Sequence, residues 1–326
     1  MGRLVLRVLF VLAGVLVLAA VVVVGGIGWA HHALVQLRTP LPPAATVAAW
    51  AAEGDVPIRL SWINTATQTL PRAAVVDEGG SAEAGAAFRM AYPVFALEWA
   101  DGRLLLVDAG MDEAAARAFG APIERVTGGE AIEPLTDVAA ALGAARERVA
   151  GIVFTHLHED HVQGLAALCR AGGAPIDVLI GQPQFDHANY TTRGGVQAIP
   201  KAPCGRVRML ASGPIEALPG FPGTAAVPVA GHTPGSQLIV ARVGTGAGAA
   251  LYVLAGDVVN AFAAIERDLP KPWLYRTFAV PEDEGRLGEL RRYLRTLETQ
   301  FAAVVLPSHD QMRLEAAPIR PWGSPT

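Results

Sequence analysis

The strongest pattern in the chain is an uncharged apolar run from Val8 to Ala30, which includes Val21-Val22-Val23-Val24. At about 1.5 Å of rise per residue, a helix of this length crosses a roughly 30 Å hydrocarbon layer. Arg3 and Arg7 precede the run, which puts the N-terminus on the cytoplasmic side by the positive-inside rule. Trp29, His31 and His32 stand where the helix meets the far interface. The run reads as a membrane anchor. A cleaved signal peptide is the alternative, although the stretch is longer than a typical signal core and no clean Ala-x-Ala site follows. Either reading places the remainder outside the cytoplasm, in the periplasm if the cell has two membranes. The expected organisation is an anchor over 1–31, a Pro-rich linker over 32–55 stiffened by Pro40, Pro42 and Pro43, and a folded domain over 56–326.

Beyond the linker, short apolar runs alternate with helical patterns. Strands are expected at 94–100 and 104–107, joined by the Asp101-Gly102 turn, and at 151–154, 177–180, 226–229, 237–242, 250–254 and 303–306. Helices are expected at 112–119, at 136–142 with Thr136 as N-cap, at 161–169, and at 284–299, where the amphipathic pattern is strong. Strands alternating with helices predict an α/β class, with sheets between helical layers.

Composition changes little in this picture. The chain has 326 residues, 52% of them hydrophobic and 17% charged, and a formal net charge of -4. No basic stripe is present, so a nucleic-acid partner is not expected. No fixed-period repeat appears. The two cysteines, Cys169 and Cys204, lack metal-site spacing; they either pair in an oxidising compartment or remain separate thiols.

The chemistry concentrates at strand ends. His156-Leu157-His158-Glu159-Asp160-His161 follows the strand at 151–154. His156 and His158, two apart on extended chain, face one point, while Asp160 and His161, at the turn into a helix, face a second. Imidazole and carboxylate donors at two neighbouring points suit two divalent ions, with zinc the first expectation and Mn, Fe or Co possible. Glu159 fills the variable position and is expected to face solvent. Further donors follow other apolar strands: His232 in Gly231-His232-Thr233-Pro234-Gly235-Ser236, Asp257 after Gly256, and His309 in Pro307-Ser308-His309-Asp310.

With these elements in this order, the chain resembles the metallo-β-lactamase superfamily from about Leu104 to His309. The resemblance implies an αββα sandwich with the site at one edge between two sheets. It implies that His156, His158 and His232 hold one metal, that Asp160, His161 and His309 hold the other, and that Asp257 bridges them. Asp108 corresponds to the family's upstream Asp and supports a ligand histidine from behind. The implied reaction is hydrolysis by a hydroxide shared between two cations, with Asp160 and Asp257 as the catalytic carboxylates. Asp257 argues against the β-lactamases that carry Cys in the second site, and His158 against the flavin-linked di-iron branch. The Pro-Ser-His-Asp ending is similar to that of N-acyl homoserine lactonases, but Asn260 stands where those enzymes often carry Tyr.

The expectation is therefore a membrane-anchored dinuclear hydrolase of a lactone, ester or thioester. The alternatives are a phosphodiesterase, an iron-dependent oxygen-using enzyme of the same fold, or a non-catalytic metal-binding scaffold. A small-molecule substrate is expected, with Asn260, His187, Trp273 and Tyr275 as candidate contacts. The sequence carries no indication of oligomeric state.

Overall fold

A computed structural model of the protein describes residues 2–50, 55–80, 83–170 and 174–324. Thirteen strands form two sheets. They are β1 (Arg59–Pro71), β2 (Ala87–Glu98), β3 (Leu104–Val107), β4 (Glu133–Pro134), β5 (Val149–Val153), β6 (Ile176–Gly181), β7 (Gly205–Leu210), β8 (Glu216–Ala217), β9 (Thr224–Pro228), β10 (Gln237–Val243), β11 (Ala250–Gly256), β12 (Val304–Pro307) and β13 (Arg320–Pro321). The first sheet runs β13-β1-β2-β3-β5-β6-β7, with β4 paired to β1. Its β1-β2-β3 part is antiparallel and its β3-β5-β6-β7 part is parallel. The second sheet runs β12-β11-β10-β9-β8 and is antiparallel except for the β11–β12 pair.

The side-chain alternation of each strand divides the core into layers. Leu105 and Val107 of β3 point between the sheets, where they join Leu97, Phe95, Val153 and Leu179 against Ile239, Ala241, Leu254 and Leu306. Leu104 and Leu106 point the other way and pack with Val138, Leu142, Val162 and Leu165 from the helices over the first sheet. Val240, Val253 and Val305 of the second sheet are covered in the same manner by Leu287, Leu290, Leu294 and Leu297 of the helix Glu284–Phe301. The expected αββα sandwich is therefore present.

Several elements differ from the sequence expectation. The longest strand, β1, was not anticipated. Its Thr65, Thr67 and Gln68 break the apolar pattern, yet each is buried and bonded, Thr65 Oγ to Tyr92 O at 2.7 Å and Thr67 Oγ to Met90 O at 2.8 Å. The helix expected at 112–119 extends over Glu113–Thr127 through Pro122, and Gly128 closes it in the left-handed conformation. Asp137 rather than Thr136 caps the next helix, accepting from Ala140 N. The helix expected at 161–169 is two short ones, Glu159–Val162 and Leu165–Arg170. Between them Gly164 N donates to Gly110 O at 2.8 Å, and a Cβ at Gly164 would meet Ala109 O.

The N-terminal helix covers Gly2–Gln36 and is long and apolar enough to cross a membrane. Only its end touches the body, with Ala30 and Leu34 buried. The segment expected as linker contains a short helix, Ala44–Ala49, whose Val47 packs beneath the second sheet. Cys169 and Cys204 are joined by a disulfide with an S–S distance of 2.06 Å.

Candidate metal centre

The C-terminal ends of β3, β5, β9, β11 and β12 meet at one end of the sandwich, and each delivers a polar residue there. Asp108 follows β3, the histidine run follows β5, His232 follows β9, Asp257 follows β11 and His309 follows β12. Tight backbone sets two of these. Gly256 has φ 54°, with Thr155 Cβ at 2.8 Å from the place a Cβ would take, so Asp257 enters from a bend only glycine fits. Gly231, at φ 99°, does the same before His232.

Seven buried donors converge in two groups that share Asp257. One comprises His156, His158, His232 and Asp257, the other Asp160, His161, Asp257 and His309; in each group the facing atoms all lie within 4.8 Å of one another. His158 Nδ1 is 3.0 Å from His156 Nε2 and 3.2 Å from His232 Nε2. In the second group, His309 Nε2 lies 3.0 Å from Asp257 Oδ2 and 3.4 Å from Asp160 Oδ2. His161 Nε2 lies 3.3 Å from Asp257 Oδ1. Glu159 is exposed, as its place in the motif suggests.

The outer nitrogens of the five rings fix which atom faces inward. Thr155 Oγ donates to Asp108 Oδ2 at 2.8 Å, so it can only accept from His156 Nδ1 at 3.2 Å. Thr191 Oγ donates to Asn189 Oδ1 at 2.6 Å and accepts from His158 Nε2 at 2.9 Å. His161 Nδ1 donates to Asp108 Oδ2 at 2.9 Å, His309 Nδ1 to Ala91 O at 2.7 Å, and His232 Nδ1 to Glu282 Oε1 at 2.6 Å. Each neutral ring thus turns a lone pair inward, beside two carboxylates. A cluster made only of acceptors repels itself unless cations fill it. His161 Nε2 and Asp257 Oδ1 are buried with no hydrogen-bond partner among the described residues. The donor set therefore fits two divalent cations.

Electrostatics divide the five rings, three held neutral by burial and two drawn toward the charged form by the carboxylates beside them. Burial pushes His156, His158 and His232 down, His158 to about 3, so these rings are neutral, the form that binds metal. Burial also opposes charge on His161 and His309, but Asp160, Asp108 and Asp257 outweigh it at His161, and Asp257 and Asp160 outweigh it at His309. Burial raises Asp160; at Asp257 it is overcome by His309, His161 and His156, which hold this carboxylate well below its ordinary value.

Asp108 holds one end of this network. It accepts from Thr155 N, Thr155 Oγ and His161 Nδ1, and it adopts φ 62°, a left-handed conformation that costs a non-glycine residue energy. The sequence reading missed the partner at the other end. Glu282 and Lys271 are buried behind His232, with Lys271 Nζ 2.6 Å from Glu282 Oε1 and 2.6 Å from Asp257 O. Burial lifts the Glu282 carboxyl to about 7 even though Lys271 pulls it down. No motif marks either residue; the only signal was a lysine between prolines after the bridging position.

The four candidate substrate contacts are placed differently. Asn260 is buried three residues past Asp257, with its Oδ1 lacking a partner among the described residues. The Tyr275 ring lies over Lys271 Nζ at 5.4 Å, and its hydroxyl is raised well above its ordinary value by burial, then by Glu282, Asp257 and Asp160. Trp273, in contrast, is exposed and packs edge-on against Phe278. His187 is exposed at the end of the helix Gln182–Asp186 and lines a small cleft with Leu157, Thr192 and Thr233, to which none of the seven donors contributes.

An αββα sandwich with a His/Asp metal site at its strand ends defines the class of protein. The family model of the metallo-beta-lactamase superfamily matches residues 91–309, and the chain belongs to that superfamily. Solved structures of the same fold include an N-acyl homoserine lactone hydrolase with the product N-hexanoyl-L-homoserine at its catalytic metal centre. It is 16% identical at a TM-score of 0.58, and the match covers 81% of this chain and 98% of that one. A hydrolase of the beta-lactamase superfamily is 19% identical at a TM-score of 0.53, over 80% of this chain and 90% of that one. A dizinc quorum-quenching lactonase in complex with a product is 14% identical at a TM-score of 0.51, over 83% and 92%. No curated protein sequence matches the chain.

Proposed function

We propose that this protein is a membrane-anchored, dinuclear metal-dependent hydrolase that opens a lactone or cleaves an ester or thioester outside the cytoplasm. The observation that carries the reading is the sharing of Asp257 between two groups of buried lone-pair donors. In this reading His156, His158 and His232 would hold one ion, Asp160, His161 and His309 would hold the other, and Asp257 would serve both. Bound there, two divalent ions, with zinc the first expectation from the donor types, would supply Lewis acidity for hydrolysis near neutral pH.

The chain's own residues do the rest. Asp108 and Glu282 hold His161 and His232 in the tautomers that point lone pairs inward. Asp160, a buried carboxylate at the centre, is the group assigned here to take up and return a proton. Asn260 and the Tyr275 hydroxyl are the polar groups that orient an acyl oxygen. The lactone assignment draws on two lactonases of the same fold that hold acyl homoserine products. Asn260 in place of a tyrosine leaves ester and thioester cleavage within the proposal.

Anchoring rests on the apolar helix Gly2–Gln36, and the outward orientation on Arg3 and Arg7 before it. The Cys169–Cys204 disulfide agrees with an oxidising compartment. The test is a panel of short- and long-chain acyl lactones, esters, thioesters and a phosphodiester on the zinc- or manganese-loaded full chain in vesicles. Two metals per chain with turnover of a lactone, ester or thioester is the expected result. Two metals with no turnover of any of these would overturn the hydrolase reading, and an Asp257→Ala variant with unchanged metal content would overturn the bridging role.

A further inference from the structure

One segment touches both the metal centre and the apolar helix. From Lys271 to Asp283 the chain forms a strap with two faces, and Tyr275–Ala279 within it is a π-helical turn, a form common at functional sites. On the inner face, Lys271 and Glu282 bond to each other behind His232, and the Tyr275 ring lies over Lys271 Nζ at 5.4 Å. On the outer face, Trp273 is 54% exposed, Leu274 66% and Phe278 48%. The Trp273 and Phe278 rings pack edge to face at 5.4 Å, exposed Leu274 is next to Trp273 in the chain, and Tyr190, also exposed, donates its hydroxyl to Phe278 O at 3.1 Å. Clustered exposure of this kind on a folded body marks an interaction surface.

The helix end says what covers it. His31 is bonded to Thr277 O and to Glu282 O, both at 3.1 Å, and Arg38 grips Asp283 through both carboxylate oxygens. Trp29 is two residues before His31, so the strap meets the helix only about 3 Å further along its axis. Trp at the end of an apolar span marks the headgroup level, a layer roughly 5–8 Å deep. Between Pro270 and Pro281 the only charged residues are Lys271 and Arg276; Lys271 is turned inward, and Arg276 is a cation suited to lipid phosphate.

We infer that the outer face of the strap, Trp273, Leu274 and Phe278, is seated in the phospholipid interface of the membrane that holds the helix. The metal centre then lies one segment's thickness from the bilayer. This inference rests on the anchor reading, and its test separates the two.

Both native cysteines are in the disulfide, so a single introduced cysteine is the sole free thiol. The full chain is placed in phosphatidylcholine–phosphatidylglycerol vesicles with a nitroxide at Leu274→Cys, at Leu16→Cys in the apolar helix, or at Val126→Cys. Val126 is 87% exposed on the helix Glu113–Thr127, which packs on the first sheet, away from the side where Arg286 holds Thr39. Electron paramagnetic resonance reads collision with oxygen against collision with a water-soluble nickel chelate. The expected result is that Leu274 and Leu16 favour oxygen and that chelate collision at Leu274 is about fivefold below that at Val126, as for a group sunk into the headgroup layer. A Leu274 label that matches Val126 while Leu16 excludes chelate would overturn the strap inference and leave the anchor standing. A Leu16 label open to chelate would overturn both.

Discussion

Replacing Glu282 by Gln tests whether the buried pair behind His232 serves the metal or only the fold. Glu282 Oε1 lies 2.6 Å from both His232 Nδ1 and Lys271 Nζ, and all three residues are buried. The amide keeps the shape and can still accept from His232, but it leaves the Lys271 ammonium facing a neutral group. Removing one partner of a buried ion pair costs about 3–5 kcal/mol. At roughly 2–4 °C per kcal/mol for a domain of this size, the chelator-treated protein should melt roughly 6–20 °C lower. Metal binding should suffer separately, because the carboxylate makes His232 a stronger donor, and losing such a partner weakens affinity about 10–100-fold, or roughly 1.4–2.7 kcal/mol. Lys271→Met combined with Glu282→Gln removes the stranded charge, so stability should largely return while the metal affinity does not. Competition with a chromogenic chelator gives the affinity, and a melt in excess chelator gives the stability without metal linkage. If Glu282→Gln binds metal within about twofold of the parent while melting lower, Glu282 is a structural partner of Lys271 and the argument about His232 is wrong.

Asp108, the disulfide and the ion-paired aspartates give three further outcomes. Asp108→Asn, which tolerates the left-handed backbone but cannot accept from Thr155 N, Thr155 Oγ and His161 Nδ1 together, should weaken metal binding about tenfold or more in the same chelator competition, and unchanged affinity would count against a supporting role. Cys169→Ser with Cys204→Ser opens a loop with a sequence separation of 35 residues and should lower the unfolding free energy by about 4 kcal/mol in urea titrations; a loss below about 1 kcal/mol would mean that the unfolded chain is already restricted there. Burial pulls Asp268 and Asp283 upward, but their bonds to Arg291 and Arg292, and to Arg38, outweigh it and hold both carboxylates below the ordinary aspartate value. Each therefore binds its proton more weakly folded than unfolded, so its stabilisation is complete above about pH 4 and is lost as the pH falls below that. Asp283→Asn should flatten the loss of melting temperature between pH 5 and 3, and an unchanged slope would refute the assignment.

The parts of this molecule that were legible in the sequence are those where residue type alone carries the meaning. Histidines and aspartates placed after apolar strands announced the two donor groups, and the unbroken apolar run Leu104-Leu105-Leu106-Val107 announced a strand, which the fold buries on both faces. What stayed hidden depends on partners far along the chain. Strand β1 looks too polar for a core because the bonds of Thr65 and Thr67 to β2 cannot be seen without the pairing register. Glu282 is 50 residues from His232 and meets it only when the strap folds back. The cysteines are equally silent about pairing until the chain brings them together.

The two histidines of the His156-Leu157-His158 run show how far residue type reaches. Alternation placed both rings toward one point, and both do face into the same donor group, but through different atoms, Nε2 of His156 and Nδ1 of His158. The choice is made by two threonines, Thr155 and Thr191. Each hydroxyl gives its proton to a neighbour, Asp108 or Asn189, and so can only accept from the ring. Asp108 therefore acts on both groups at once, on the second directly through His161 and on the first through Thr155 and His156. Removing this one acceptor would free the Thr155 hydroxyl to turn toward His156 and cost the ring its defined tautomer. The two donor groups are joined at the front by Asp257 and at the back by Asp108, which is why the site is better described as one unit of seven donors than as two neighbouring sites.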